Sequence, residues 1–279
     1  MLNRRLKTTA VLLCTFGLNA AVWADNAWAP YHWARTTSSV DLVIVDSTTS
    51  DWDEYVTQAT WDWSQSTVLN MIKEEGATSS KVRRRCKPRS GQVRICNLAY
   101  GQNGWLGIAG ISLDSDGHIV SGYTKLNDSY FGWDFYNNPA WKQSVTCQEL
   151  GHDAGLDHQD IDFDNASLFS CMDYQDPPYE YPNAHDFDQL EMMYGHTDAG
   201  SDDGNDSGNG CNAPPGKGCN KSGVRGNNGA IGWGMSLGRR GHSETFMRID
   251  PDGIRHITHV LWVNDEDEAS NRVRSFVDK

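Results

Sequence analysis

The stretch Cys147-Gln148-Glu149-Leu150-Gly151-His152-Asp153-Ala154-Gly155-Leu156-Asp157-His158 crowds imidazoles, carboxylates and an amide into a short span. On a helix, Gln148 and His152 stand four apart on one face with Glu149 beside them. Gly155 lets the chain turn, so that His158 can return toward the same point. Residues of these types at this spacing can hold a divalent ion: two donors at i and i+4, a third from beyond a turn, and a carboxylate placed to act on a metal-held water. Cys147 is a poor donor here. At about 100° per residue it lies about 140° around the helix from His152, whereas Gln148 lies only about 40° away.

This pattern resembles the metzincin zinc-peptidase motif H-E-x-x-H-x-x-G-x-x-H, with Gln148 where the first histidine would stand. A second stretch, Ser170-Cys171-Met172-Asp173-Tyr174, is similar to the metzincin Met-turn, in which a methionine lies beneath the metal. The segment His185 to Gly195 looks like the domain-closing helix of the matrixin-type members. The resemblance spans residues 40–195, with its specific motifs confined to 148–195. It implies an α/β (α+β) zincin-like catalytic domain with a twisted mixed sheet, an active-site helix and a Met-turn. It further implies a Zn2+ ion held by Gln148, His152 and His158, with Glu149 as general base and Tyr174 at the developing oxyanion. The implied function is a secreted metalloendopeptidase acting on a protein or peptide substrate. The alternative is a catalytically degenerate scaffold serving as a binding or inhibitor module.

Several elements must position these groups. Val40 to Val45 is apolar and β-branched, which suits a buried strand. A helix is expected from Ser50-Asp51, with Asp51 as N-cap and Glu54 as its capping-box partner. Trp52, Tyr55, Val56, Ala59 and Trp63 then form its apolar stripe. Strands follow near residues 66–73 and 93–99. A hairpin over Gly104 to Leu113 and His118 to Leu126 turns at Asp114-Ser115-Asp116-Gly117. In metzincins an edge strand at this place in the chain binds the substrate backbone. Asn138-Pro139 caps and starts the active-site helix. Calcium is a further cation that the acidic turn and the cluster Asp157, Asp160, Asp162 and Asp164 invite. The same cluster offers acceptors to orient His158.

Residues 1–24 read as a secretion signal: Arg4, Arg5 and Lys7 precede an apolar run that ends in small residues. Beyond them, residues 25–198 read as the catalytic domain, 199–222 as a flexible linker with a small cysteine loop, and 223–279 as a β-rich region. Within that last region His256 and His259 face opposite sides of a strand and read as surface or core histidines. Without residues 1–24 the chain carries 21 basic against 37 acidic residues, a net charge of −16. Such a charge disfavours nucleic acid and anionic membranes as partners. The basic run Lys81 to Arg89 fits a solvated loop in an otherwise acidic chain. Six cysteines remain and fall into three local couples: Cys86 with Cys96, Cys147 with Cys171, and Cys211 with Cys219. Disulfides belong to an oxidising compartment, extracellular or periplasmic. A monomer is expected.

Overall fold

The computed structural model describes residues 26–28, 30–198 and 232–263. The signal segment, the linker and the Cys211–Cys219 couple lie outside the described residues. The architecture is mixed α/β: one large mixed sheet with few helices packed on it. Its strands are β1 (His32–Trp33), β2 (Val40–Asp46), β3 (Leu69–Glu75), β4 (Gln92–Leu98), β5 (Trp105–Leu113), β6 (His118–Asn127), β7 (Met235–Arg240), β8 (Ser243–Ile249) and β9 (Arg255–Trp262). The spatial order is β3-β2-β4-β6-β5-β9-β8-β7, with β1 paired to β6. Strands β1, β2, β3, β4 and β6 run parallel, and the pairs from β5 outward are antiparallel.

Two helices cover the sheet where the core is thickest. The stripe on α1 (Ser50–Trp63) buries Trp52, Val56, Ala59 and Trp63. Full burial of a side chain such as Val56 stabilises by about 1.5–3 kcal/mol. Trp63 donates its indole N–H to Cys147 O at 2.9 Å, which fastens α1 to helix α3 (Pro139–Asp153). The capping expectation for α1 needs correction. Its N-cap is Thr49, with no side-chain cap bond; the Thr49 hydroxyl accepts from Asn97 Nδ2 at 3.0 Å. The basic run contains a short helix, α2 (Ser80–Arg85), and Cys86 pairs with Cys96. The turn at Asp114 is held by its own carboxylate, which accepts from the backbone of Asp116 and His118.

The largest departure concerns the sheet edge. The C-terminal strands continue the main sheet, and β9 pairs with β5 with Ala109 opposite His259. Strand β5 is therefore paired on both sides, to β6 and to β9, and offers no open edge to a substrate. Sequence could not reveal this because pairing between strands so far apart depends on register, which local pattern does not carry.

Candidate metal centre

Helix α3 begins as expected, with the Asn138 side chain accepting from Trp141 N at 3.0 Å and proline in the first turn. Its final turn is sunk into the core: Gln148, Glu149, His152 and Asp153 are all buried. Gly151 permits this depth, since a Cβ there would lie 2.6 Å from Met172 Sδ and 2.7 Å from Trp63. Gly155 has φ +94°, a conformation that favours glycine, and a Cβ would meet Tyr31 O at 2.3 Å. The chain therefore turns there and returns through Asp157 and His158. The expected Cys147–Cys171 disulfide is present and ties α3 to the segment carrying Met172. Gln159 N donates to Met172 O at 2.7 Å, so the return loop and the methionine turn are held together. Helix α4 (Ala184–Met193) closes behind them, with a capping box between Asn183 and Asp186.

His152 Nδ1 lies 2.8 Å from Leu156 O. A carbonyl only accepts, so the proton sits on Nδ1 and the Nε2 lone pair of the neutral ring points inward. His158 Nδ1 faces Asp157 Oδ1 at 3.3 Å, which favours the same tautomer. The two Nε2 atoms then stand 3.2 Å apart. Two lone pairs at that separation repel unless a cation or a shared proton lies between them. Donors on a tetrahedral zinc, with bonds of about 2.0–2.1 Å, are separated by about 3.3–3.4 Å, close to what is found. Trp28 stacks on the His152 ring at 4.9 Å with 3° between planes, fixing its orientation.

The third imidazole is one that the strand pattern did not assign to the site. His259, from β9, is fully buried and forms a group with His152 and His158 in which one ligand atom from each lies within 4.8 Å of the others. It shares a strand face with Ile257 and Leu261, which enter the main core, while Val260 packs in a separate cluster. That alternation was readable, but its alignment on β5 was not. His256, on the other face, contacts Ser112 and Asp250 instead.

Glu149 is fully buried, and neither carboxylate oxygen has a hydrogen-bond partner among the described residues. His259 Nδ1 stands 3.6 Å from its Oε2. Burial pushes the Glu149 carboxyl well above the usual range, and the neighbouring Asp153 adds to the shift. Burial also lowers His152 and His259 well below the ordinary imidazole value, and nearby histidines add to both shifts. A dication among these rings would favour neutral imidazoles and draw Glu149 back toward its carboxylate.

Tyr174 is buried with its hydroxyl 3.5 Å from His259 Nε2, and Ser243 Oγ lies 3.2 Å from that nitrogen. Gln148 packs against the same phenol, and its Nε2 has no partner among the described residues. All five residues expected at the site, Gln148, Glu149, His152, His158 and Tyr174, thus lie in one buried neighbourhood with His259 added to it. A cleft of about 670 Å³ reaches His158 from outside, lined in part by Trp28, Tyr31, Asp157, Arg240 and Ser243. No family model matches the chain, and none of the curated proteins compared with it matches either. Among the described residues no helix is long and apolar enough to cross a membrane.

Proposed function

We infer that the chain is a secreted zinc-dependent hydrolase of peptide bonds on a metzincin-like plan, with His259 standing in for the absent helix histidine. The observation that carries this reading is the facing pair of His152 and His158 Nε2 atoms at 3.2 Å beside a Glu149 carboxyl that makes no hydrogen bond among the described residues. Bound zinc would supply Lewis acidity and lower the pKa of a water to about 7. Glu149 accepts the proton of the attacking water and returns it to the leaving amine. Tyr174 offers its O–H to the developing oxyanion. Gln148 holds the phenol in place, a positioning role that replaces the ligand role expected for it. The Cys147–Cys171 bridge keeps the methionine turn under the site and suits an oxidising compartment. Metal analysis of the purified protein together with a chelator-sensitive casein assay tests the reading. A metal-free protein that gains no activity on adding Zn2+ would overturn it.

A second reading is favoured by the pairing of β9 with β5. An extended peptide binds a sheet by adding a strand to an open edge, and here the chain's own strand fills that edge. Under this reading the β7–β9 arm is a built-in inhibitor. The two readings part at His259→Ala, which lowers zinc content and turnover under the first and raises turnover under the second.

A further inference from the structure

Away from this centre, three histidines from distant parts of the chain converge on a single carboxylate. His196 Nε2 lies 3.1 Å from Asp198 Oδ1 and His118 Nε2 lies 3.4 Å from the same atom. His32 Nε2 is 3.5 Å from Asp198. One ligand atom each from His32, His118 and Asp198 fall within 4.8 Å of one another. We propose that His32, His118, His196 and Asp198 form a second, structural zinc site at the junction of β1, β6 and the chain following α4.

Three features separate this cluster from a chance gathering of surface polar groups. First, His32 Nδ1 lies 2.8 Å from Pro30 O, so the Nδ1 proton is committed to that carbonyl and Nε2 is the nitrogen that faces Asp198. His118 Nδ1 faces Asp114 Oδ2 at 3.6 Å, the arrangement in which an outer carboxylate orients a ligating imidazole. Second, separations of 3.4–3.5 Å are long for charge-assisted hydrogen bonds but match the donor spacing of about 3.3–3.4 Å around tetrahedral zinc. Third, the backbone has already brought the ligands together. His32 is directly opposite His118 in the β1–β6 pairing. Asp198 N donates to Arg35 O at 2.7 Å, and Arg35 N donates back to Asp198 Oδ2 at 2.6 Å.

Three imidazoles and one carboxylate suit zinc better than calcium or magnesium, which take oxygen donors. His32, His118 and Asp198 already converge, and His196, against Asp198 at 3.1 Å, would turn in as the fourth donor, so this ion would be structural. Its place gives it a task. Trp33, next to His32, donates its indole N–H to Asp153 O at 2.8 Å, and Tyr194, near His196, donates its O–H to Ala154 O at 2.8 Å. An ion here would clamp both elements that grip the C-terminal end of α3.

The test is Zn2+ stoichiometry of the full mature protein, measured by isothermal titration after chelation and checked by Co2+ absorption. The proposal predicts that H152A retains one zinc equivalent, and that this equivalent is lost from H152A/D198N. In otherwise unmodified protein, H196A, a substitution at a half-exposed side chain, should weaken one equivalent at least tenfold and lower the zinc-dependent rise in Tm. Full retention of every zinc equivalent by both D198N and H196A would overturn the proposal, as would H152A binding no zinc. If D198N fails to fold, H118N replaces it with the same expectation. Failure of the catalytic reading looks different: one equivalent would bind that is indifferent to H152A and sensitive to D198N.

Discussion

His259 Nδ1 and Glu149 Oε2 stand 3.6 Å apart, both fully buried, although one residue lies on the last strand and the other on the helix before the methionine turn. Helix α3 alone therefore does not assemble the buried cluster. Under the catalytic reading His259→Ala should reduce zinc affinity by at least roughly 10–100-fold, the loss typical of removing even an outer partner of a ligand. Competition with a chelator of known affinity measures it. Unchanged affinity would return the third ligand to Gln148.

Glu149→Gln is expected to lower kcat by about 10²–10⁴-fold, the range for a lost general base, while the protein still binds zinc. Turnover and metal content should be measured on the same preparation. Wild-type turnover in the variant would remove Glu149 from the reaction.

Gly107→Ala tests how tightly the sheet is fitted to the base. A Cβ at Gly107 would lie 2.4 Å from Glu149 Oε1 and 2.8 Å from Val145 Cγ1. Overpacking of this kind costs about 1–3 kcal/mol, and here it also pushes the carboxylate aside. The expected result is a fall in kcat larger than the change in KM, with a lowered Tm. Wild-type kcat in the folded variant would show that Glu149 tolerates displacement.

Asp153 links the helix end to the pH dependence of stability. Burial raises its carboxyl well above the ordinary aspartate value, with Thr124 Oγ1 donating to Oδ2 at 2.7 Å. The fold then holds a proton that the unfolded chain releases. This contribution is full below the unfolded pKa and is lost as pH rises through the raised folded value. Asp153→Asn does not titrate and escapes the loss. In metal-free protein the Tm of the variant relative to wild type should therefore climb from pH 4 to 7, and a pH-independent difference would contradict the raised value.

Removing the Cys147–Cys171 bridge as a double serine variant should cost about 3 kcal/mol by the chain-entropy estimate for a loop of this size. Denaturant titration under oxidising conditions reports it.

Much of this site was legible because its signals are local. Helical spacing placed Gln148, Glu149 and His152 together, Gly155 marked the turn to His158, and the cysteine couple pointed to the bridge beside Met172. Strands β2, β3, β4, β5, β6, β8 and β9 were likewise expected close to where they stand. Contacts set by long-range register were not legible. His259 reads as a surface or core histidine until β9 is aligned on β5. His32 and His118 become neighbours only through the parallel pairing of β1 with β6. The start of α1 shows a smaller case, since the N-cap is Thr49 rather than Asp51, and the Thr49 hydroxyl accepts from Asn97 on a distant strand.

The β9–β5 pairing also bears on solubility. Without the arm, β5 would end the sheet with Trp-Leu-Gly-Ile-Ala-Gly-Ile-Ser-Leu, an apolar row of unpaired backbone groups that invites aggregation. With it, the sheet ends at β7, exposed throughout, carrying Arg239 and Arg240 and broken in register between Ser236 and Gly238. Charge and irregularity make such a border a poor template for another chain. The segment that brings His259 to the buried centre thus also keeps one molecule from sticking to the next, and a chain cut short before residue 232 should precipitate where the full chain stays in solution.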